Sequence, residues 1–177
     1  MNIDQLIRAI RIYNETILFE QGMNKELTGK KIRRTNFPSH ISENIAKFAY
    51  KHKYGDLPNW DIPKGDLELN GQALEVKGSI NLLAEGPPTF GPKEGWNRIY
   101  FVDGERTFEE VYTVYEIRLS NTDDDWKNIL VNKTTTYQER CDEGKRPRIN
   151  FTKLLAQLDD SHYEIIFSHN YYFKLSI

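Results

Sequence analysis

The sequence has a single cysteine, no long apolar run and little net charge. One cysteine, Cys141, in 177 residues forms no internal disulfide and excludes a zinc site built from several cysteines. No apolar stretch approaches the roughly 18–20 residues that a bilayer-spanning helix needs. We therefore expect a protein of the reducing cytoplasm that has no membrane partner.

The charge balance excludes a protein that coats nucleic acid without specificity. The chain carries 24 Lys and Arg against 26 Asp and Glu, which gives a net charge of -2. Binding to DNA depends on the charge of one face rather than on this sum. Basic residues do gather at 25–34 and at 140–148. A solvated surface of mixed charge explains either cluster equally well.

Several familiar catalytic patterns are missing. The four histidines are scattered and offer no His-x3-His pair. There is no phosphate-binding G-x4-G-K-[ST] loop, no G-x-S-x-G nucleophile elbow and no dinucleotide fingerprint. The chemistry, if any, must therefore come from other side chains.

The chain shows no repeat or linker, which predicts one domain over residues 1–177. Apolar residues at helical spacing predict helices over 2–21 and 39–52. Further patterns predict the remaining elements: a hairpin over 66–77, a long loop over 79–97, strands over 98–103 and 111–119 joined through Gly104, helices over 122–130 and 150–158, and a closing hairpin of 163–167 and 171–177. The sum is a mixed α/β (α+β) domain with a central, mostly antiparallel sheet flanked by helices.

The predicted hairpin turns at Asn70-Gly71, the strongest short-range hairpin signal. A two-residue turn there places Asp66 opposite Glu75. Because side chains alternate along a strand, the leucines and Val76 share one face of the hairpin. The charged side chains share the other face: Asp66, Glu68, Glu75 and Lys77.

Two carboxylates directly across a ladder destabilise it unless something compensates their charge. A divalent cation between Asp66 and Glu75 would remove that conflict, since Mg²⁺ binds one or two protein carboxylates and fills its other positions with water and phosphate. Lys77, on the same face, can contact a scissile phosphate or lower the pKa of an attacking water. The alternative is an ordinary exposed hairpin with weak ion pairs.

These residues resemble the PD-(D/E)XK nucleases. Pro63-Lys-Gly-Asp66 followed by Glu75-Val76-Lys77 is similar to the motif of that superfamily. The order of segments along residues 42–103 also resembles small Type II restriction endonucleases, and it covers about a third of the chain. The segments are Ser42-Glu43-Asn44, Trp60-Asp61, the motif itself, Phe90-Gly91-Pro92 and the strand of 98–103. One departure is that 78–97 lacks the crossover helix usual in the superfamily.

The resemblance implies a restriction-endonuclease-like fold and a metal-dependent phosphodiesterase. Mg²⁺ would be held by Asp66, Glu75 and the backbone carbonyl of Val76, with Lys77 assisting. Glu43 matches the helix glutamate that members often add, and Asp61 is a second candidate. The implied activity is cleavage of double-stranded DNA at a short specific sequence in a bacterial or archaeal cell. A palindromic site calls for a homodimer, and helix 2–21 is one surface for it.

Two segments are candidates for contacting DNA. The predicted loop beside the site offers polar side chains that read base edges or hold phosphates: Ser79, Asn81, Thr89, Lys93 and Asn97. A purely structural Pro/Gly loop explains this segment equally well. The second segment is a basic loop suited to phosphates, with Gly144 and Pro147 indicating exposure: Arg140, Lys145, Arg146 and Arg148.

Three other functions stay open at this point. A repair or junction-resolving nuclease keeps the chemistry but reads DNA shape, so its cuts would not be sequence-selective. A noncatalytic DNA-binding or protein-interaction module would make the carboxylates plain surface residues. A glycosidase with paired carboxylates leaves Lys77 unexplained.

Overall fold

Two long helices form the N-terminal part of the protein. The computed structural model describes residues 3–29, 37–55, 59–60, 66–80, 89–92, 94–104 and 110–171. Helix α1 spans Ile3–Thr28 and α2 spans Ser39–Tyr54. The prediction placed the end of α1 near residue 21, but the helix continues through Gly22, since one glycine costs only about 1 kcal/mol inside a helix. It ends before Gly29, which has a φ of 61°.

The part of the chain that the structure describes contains eight strands in two sheets. The large sheet has six strands in the order β1-β2-β3-β5-β6-β8, and the small one pairs β4 with β7. Among the strands of the described residues, β3 and β5 pair in parallel and every other pairing is antiparallel, so the predicted mixed, mostly antiparallel sheet is confirmed. The strands are β1 (Asn59–Trp60), β2 (Leu67–Leu69), β3 (Gln72–Ile80), β4 (Thr89–Phe90), β5 (Arg98–Gly104), β6 (Glu110–Ile117), β7 (Ile149–Asn150) and β8 (Tyr163–Tyr171).

Each face of the large sheet carries its own apolar core. Leu74 and Val76 of β3 point to the face that α1 and α2 cover, where they pack with Ile10, Ile41 and Ile45. The opposite face is covered by β4, β7 and three short helices, and its core is rich in aromatic rings. Those helices are α3 (Asp124–Lys127), α4 (Tyr137–Asp142) and α5 (Phe151–Leu155). The sheet is thus flanked by helices, as predicted.

Three predicted elements differ from the structure. The closing hairpin is wrong, because β8 runs without a turn through Ser168-His-Asn, where ladder bonds to β6 override the local turn preference. The predicted helix over 122–130 forms only at Asp124–Lys127. The loop over 79–97 is shorter than predicted, because β3 extends to Ile80 and β4 pairs with β7. Residues 172–177 and 81–88 lie outside the described residues.

Candidate active site

The hairpin forms in the predicted register. Leu67 pairs with Leu74 and Leu69 with Gln72 around the Asn70-Gly71 turn, where both residues have positive φ. Asp66 lies just before β2, outside the paired residues, and donates its N–H to the carbonyl of Leu74, the partner of Leu67, at 2.9 Å. The sequence therefore places Asp66 beside the middle of β3 through local turn chemistry alone.

The Asp66 carboxylate lies against the edge of β3 beyond the last residue pair of β2 and β3. Its Oδ2 accepts the backbone N–H of Val76 at 2.8 Å. Since edge-facing backbone groups repeat every second residue in an antiparallel ladder, the Val76 carbonyl points to the same edge as that of Leu74. This carbonyl and the Asp66 carboxylate thus meet at one point on the sheet edge.

Glu75 is a buried carboxylate and not a surface residue. Its side chain is 3% exposed. The parallel register with β5 aligns Glu75 with Ile99 and Lys77 with Phe101, so both charged side chains share a face with the aromatic core. That core shields Glu75 from water and excludes the plain exposed hairpin.

The ammonium of Lys77 contacts the oxygens of all three groups at the site. Its Nζ lies 2.6 Å from Glu75 Oε1, 3.4 Å from Asp66 Oδ2 and 2.9 Å from the Val76 carbonyl oxygen. The ammonium is therefore surrounded by two carboxylates and one carbonyl. These are the three groups that the resemblance assigns to the metal.

The donor set fits a hard divalent cation. Within the described residues, no three His, Cys, Asp or Glu side chains group around a metal position. Mg²⁺ does not need such a cage, because it keeps several waters and uses one or two carboxylates. All three donors here are oxygens, which suit Mg²⁺ better than a soft metal.

Helix α2 brings Glu43 to this site. The pKa of Glu43 is raised, first by burial and then by the nearby Asp66 carboxylate, while Lys77 and His40 act in the opposite direction. Gly78 permits this approach, since a Cβ there would lie 2.6 Å from Cδ1 of Phe37 and 2.8 Å from Cβ of Ser42, in the first turn of α2. The contribution of His40 was not foreseen, although His40 precedes Glu43 by three residues on the same helix and helical spacing places the two side chains side by side.

The loop residues predicted to contact DNA have different positions in the structure. Ser79 lies in β3, one position past Gly78 on the face of Lys77, and Thr89 is exposed on β4. Asn97 is bound elsewhere: its Oδ1 accepts the N–H of Ala73 at 2.8 Å, at the start of β3. This hydrogen bond gives the Asn97 side chain a role in joining the start of β3 to the residue before β5. The loop candidates Asn81 and Lys93 lie outside the described residues, as does Asp61, the second acidic candidate for the catalytic site.

The basic segment forms a cavity beside α4. The cavity measures about 400 Å³ and is lined by Val131, Asn132, Arg140, Lys145, Arg146 and Arg148. Glu143 is its counter-ion, at 3.0 Å from both Arg140 Nη1 and Lys145 Nζ. Hydrogen bonds from Lys145 and Arg140 lower the pKa of Glu143. Sequence analysis had missed Asn132, which reaches this cavity from before α4.

The cavity adjoins the face of the sheet that carries Lys77. Arg146 donates a hydrogen bond to the Gly91 carbonyl, next to β4. In β4, Phe90 packs on Phe101 at 5.2 Å between ring centroids, and Phe101 is the register neighbour of Lys77. A short chain of contacts therefore links the acidic site to the basic cavity. The basic residues at 30–34 lie outside the described residues.

Comparisons with known proteins agree on one family. The sequence model of the Bsp6I restriction endonuclease family matches residues 5–158. The Type II restriction enzyme Bsp6I of Bacillus sp. (strain RFL6) is 27% identical over 140 residues, which cover 78% of this chain and 75% of that protein. No solved structure matches the chain. The matched region contains both the acidic site and the basic cavity.

Proposed function

This chain belongs to the Bsp6I restriction endonuclease family, and from that premise we propose that it cuts double-stranded DNA at a short specific sequence with Mg²⁺. It is a Type II restriction enzyme, a site-specific deoxyribonuclease. The proposed centre is of the PD-(D/E)XK type. The observation that carries this proposal is the convergence of Asp66, Glu75 and the Val76 carbonyl on a single cationic group, Lys77 Nζ.

Asp66, Glu75 and the Val76 carbonyl would hold the metal. Bound Mg²⁺ polarises a phosphate oxygen and lowers the pKa of a coordinated water. Lys77 stabilises the negative charge that develops on the phosphate. Glu43, whose raised pKa makes it a stronger base, is suited to take the proton of the attacking water. The water oxygen forms the new bond to phosphorus as the opposite P–O bond breaks, and the leaving oxygen takes a proton from solvent.

The basic cavity would bind the DNA backbone next to the cut. Four cationic side chains line it, and Glu143 pairs with two of them, Arg140 and Lys145. Arginine and lysine contacts to phosphates set the position of a protein on DNA but do not read its sequence. Ser79 and Thr89 are proposed to lie nearer the bases. Asn97, whose Oδ1 accepts the N–H of Ala73, remains a candidate DNA contact.

A second copy of the chain would complete the enzyme, with α1 as the contact surface. Its inner face buries Leu6 and Ile10. Five large apolar side chains described on α1 are exposed, one of which is Leu18. The other four, 40% to 74% exposed, follow spacings of seven, four and four: Ile12, Phe19, Met23 and Leu27. Such spacing forms one stripe along a helix, and a stripe of this kind suits a self-complementary two-fold contact.

The test is a digestion of phage-sized DNA in Mg²⁺ by wild-type protein, Glu75→Gln and Glu68→Gln. We expect discrete fragments from the wild type and no fragments in EDTA. Glu75→Gln should cut at least 100-fold more slowly, because the metal loses a carboxylate ligand and then stabilises the charge on the phosphate less well. Glu68→Gln is the matched control on the same hairpin and should cut normally.

Every other result of this digestion would lead to a different conclusion. A smear in place of fragments would favour a nuclease that reads DNA shape. Intact DNA in every lane, across several DNA sources and salt concentrations, would refute the catalytic proposal. Equal rates for Glu75→Gln and the wild type would place the catalytic centre elsewhere.

A further inference from the structure

The ammonium of Lys77 contacts the same oxygens that the proposed function assigns to Mg²⁺. Its Nζ lies 2.6 Å from Glu75 Oε1, 2.9 Å from the Val76 carbonyl and 3.4 Å from Asp66 Oδ2. We propose that Lys77 and the divalent cation compete for this position. The inference rests on the proposed metal site and adds a second role for Lys77, that of an internal cation.

Burial explains why a cation beside Glu75 stabilises the site. The Glu75 side chain is 3% exposed, and a buried carboxylate without a partner is strongly destabilising. Lys77 compensates that charge, and its flexible four-carbon stem and 23% exposure allow its head to move outward. When the metal takes over the compensation of Glu75, the lysine is released.

The two cations exclude each other by distance. Mg²⁺ binds oxygens at about 2.0–2.1 Å, so an ion on these donors would overlap the ammonium. The ammonium must therefore leave Asp66 and the Val76 carbonyl as the metal enters. Because the Lys77 side chain is 23% exposed, its head can move toward solvent, the side from which a phosphate would approach the metal, so metal entry would bring Lys77 to the substrate. Metal binding then precedes the catalytic placement of the lysine.

The direct test is metal affinity in the absence of DNA. Mn²⁺ is titrated into wild-type protein, Lys77→Met and Lys47→Met, and free Mn²⁺ is measured by electron paramagnetic resonance. Competition predicts that Lys77→Met binds Mn²⁺ at least about fivefold more tightly than the wild type. Lys47→Met removes one charge from α2, four residues after Glu43, and should change the affinity little. Equal gains in both variants would indicate general electrostatics and overturn the proposal.

Thermal unfolding supplies an independent readout. In EDTA, Lys77→Met should melt below the wild type, because Glu75 has lost its cation. Saturating Mn²⁺ should raise the melting temperature of the variant more than that of the wild type and bring the two together. Should Lys77→Met fold only with Mn²⁺, the proposal is supported. If it folds under neither condition, Lys77→Gln replaces it.

The experiment distinguishes failure of the proposed metal site from failure of the proposed competition. If neither wild type nor Lys77→Met binds Mn²⁺, the metal site of the proposed function is wrong. If both bind with the same affinity and the same thermal shift, the metal site stands and the competition is refuted. Weaker binding by Lys77→Met would show that Lys77 supports the metal rather than opposing it.

Discussion

Glu116 is a fully buried carboxylate outside the candidate active site. It lies on β6 and is 0% exposed. Its oxygens accept hydrogen bonds from Tyr54 at 2.6 Å, from Tyr100 at 2.8 Å and from Arg98 at 2.8 Å, with Arg118 at 3.2 Å. These bonds offset the cost of burying the charge. Through Tyr54, the last residue of α2, Glu116 holds that helix to the sheet.

Removing this carboxylate should destabilise the protein severely. We expect Glu116→Ala to lower the free energy of unfolding by about 3–5 kcal/mol, because Arg98 and two tyrosines lose their buried partner. Urea denaturation measures this change. Glu164→Ala is the control: Glu164 pairs with Lys53 and Arg118 at the surface, and its loss should cost about 1 kcal/mol or less. Similar small losses in both variants would contradict the assigned role.

The same residue predicts an acid sensitivity. Burial raises the pKa of Glu116, but hydrogen bonds from Tyr54, Tyr100 and Arg98 outweigh it and hold the pKa below the usual 4.5. The stability it contributes is therefore present above pH 4.5 and is lost as the pH falls toward the folded pKa.

The acid sensitivity is tested by measuring the free energy of unfolding of the wild type and of Glu116→Gln from pH 6 downward. One carboxylate contributes at most about 1.4 kcal/mol per pH unit. The wild type should fall more steeply below pH 4.5 than the variant, because other carboxylates act equally in both. Parallel curves would show that Glu116 does not titrate at an unusual pKa.

At the scale of elements, the contact between α2 and β3 positions Glu43. Gly78 allows it, because any side chain there would meet Phe37 and Ser42. Gly78→Ala should push the start of α2 away from the site, costing about 1–3 kcal/mol of stability and reducing the rate of DNA cleavage. Denaturation and a cleavage assay at saturating Mg²⁺ measure the two effects.

A second glycine is the matched control. Gly22 lies inside α1 with no atom within 4 Å of an added Cβ. Gly22→Ala should therefore stabilise the protein by about 0.5–1 kcal/mol, since alanine favours a helix. A Gly78→Ala enzyme of normal stability and rate would refute the tight approach of α2.

At the scale of the whole molecule, the exposed stripe of α1 predicts the oligomer. Phe19 and Leu27 are 68% and 74% exposed. If two copies pair through this helix, the double substitution Phe19→Glu, Leu27→Glu buries like charges at the contact and yields monomers in analytical ultracentrifugation. Ile165→Glu, on an edge strand and 51% exposed, should leave the dimer intact. A dimer that survives the double substitution would place the interface elsewhere.

The basic cavity predicts the salt dependence of DNA binding. Arg148→Ala should weaken binding to all sequences about equally and reduce the slope of log affinity against log salt by about 1, because one phosphate contact is lost. Fluorescence anisotropy over a salt series measures this slope. Lys153→Ala, an exposed cation of α5 that does not line the cavity, is the control. A base-specific loss in Arg148→Ala would instead indicate direct readout.

The sequence alone determined what depends on neighbours in the chain. The Asn70-Gly71 turn sets the register of the hairpin, and the register brings Asp66 to the Glu75–Lys77 strand, because turn geometry and alternation act over a few residues. The helical periodicity of α1 and α2 was readable for the same reason.

Only the tertiary structure decided what depends on distant partners. β8 stays extended through Ser168-His-Asn because β6 pairs with it, and Glu75 is buried because an aromatic core from later in the chain covers it. The buried bonds of Glu116 and the approach of Glu43 to Asp66 likewise join segments far apart in sequence. Burial and long-range contacts set the environment of a charge, and a local pattern of residues carries no information about them.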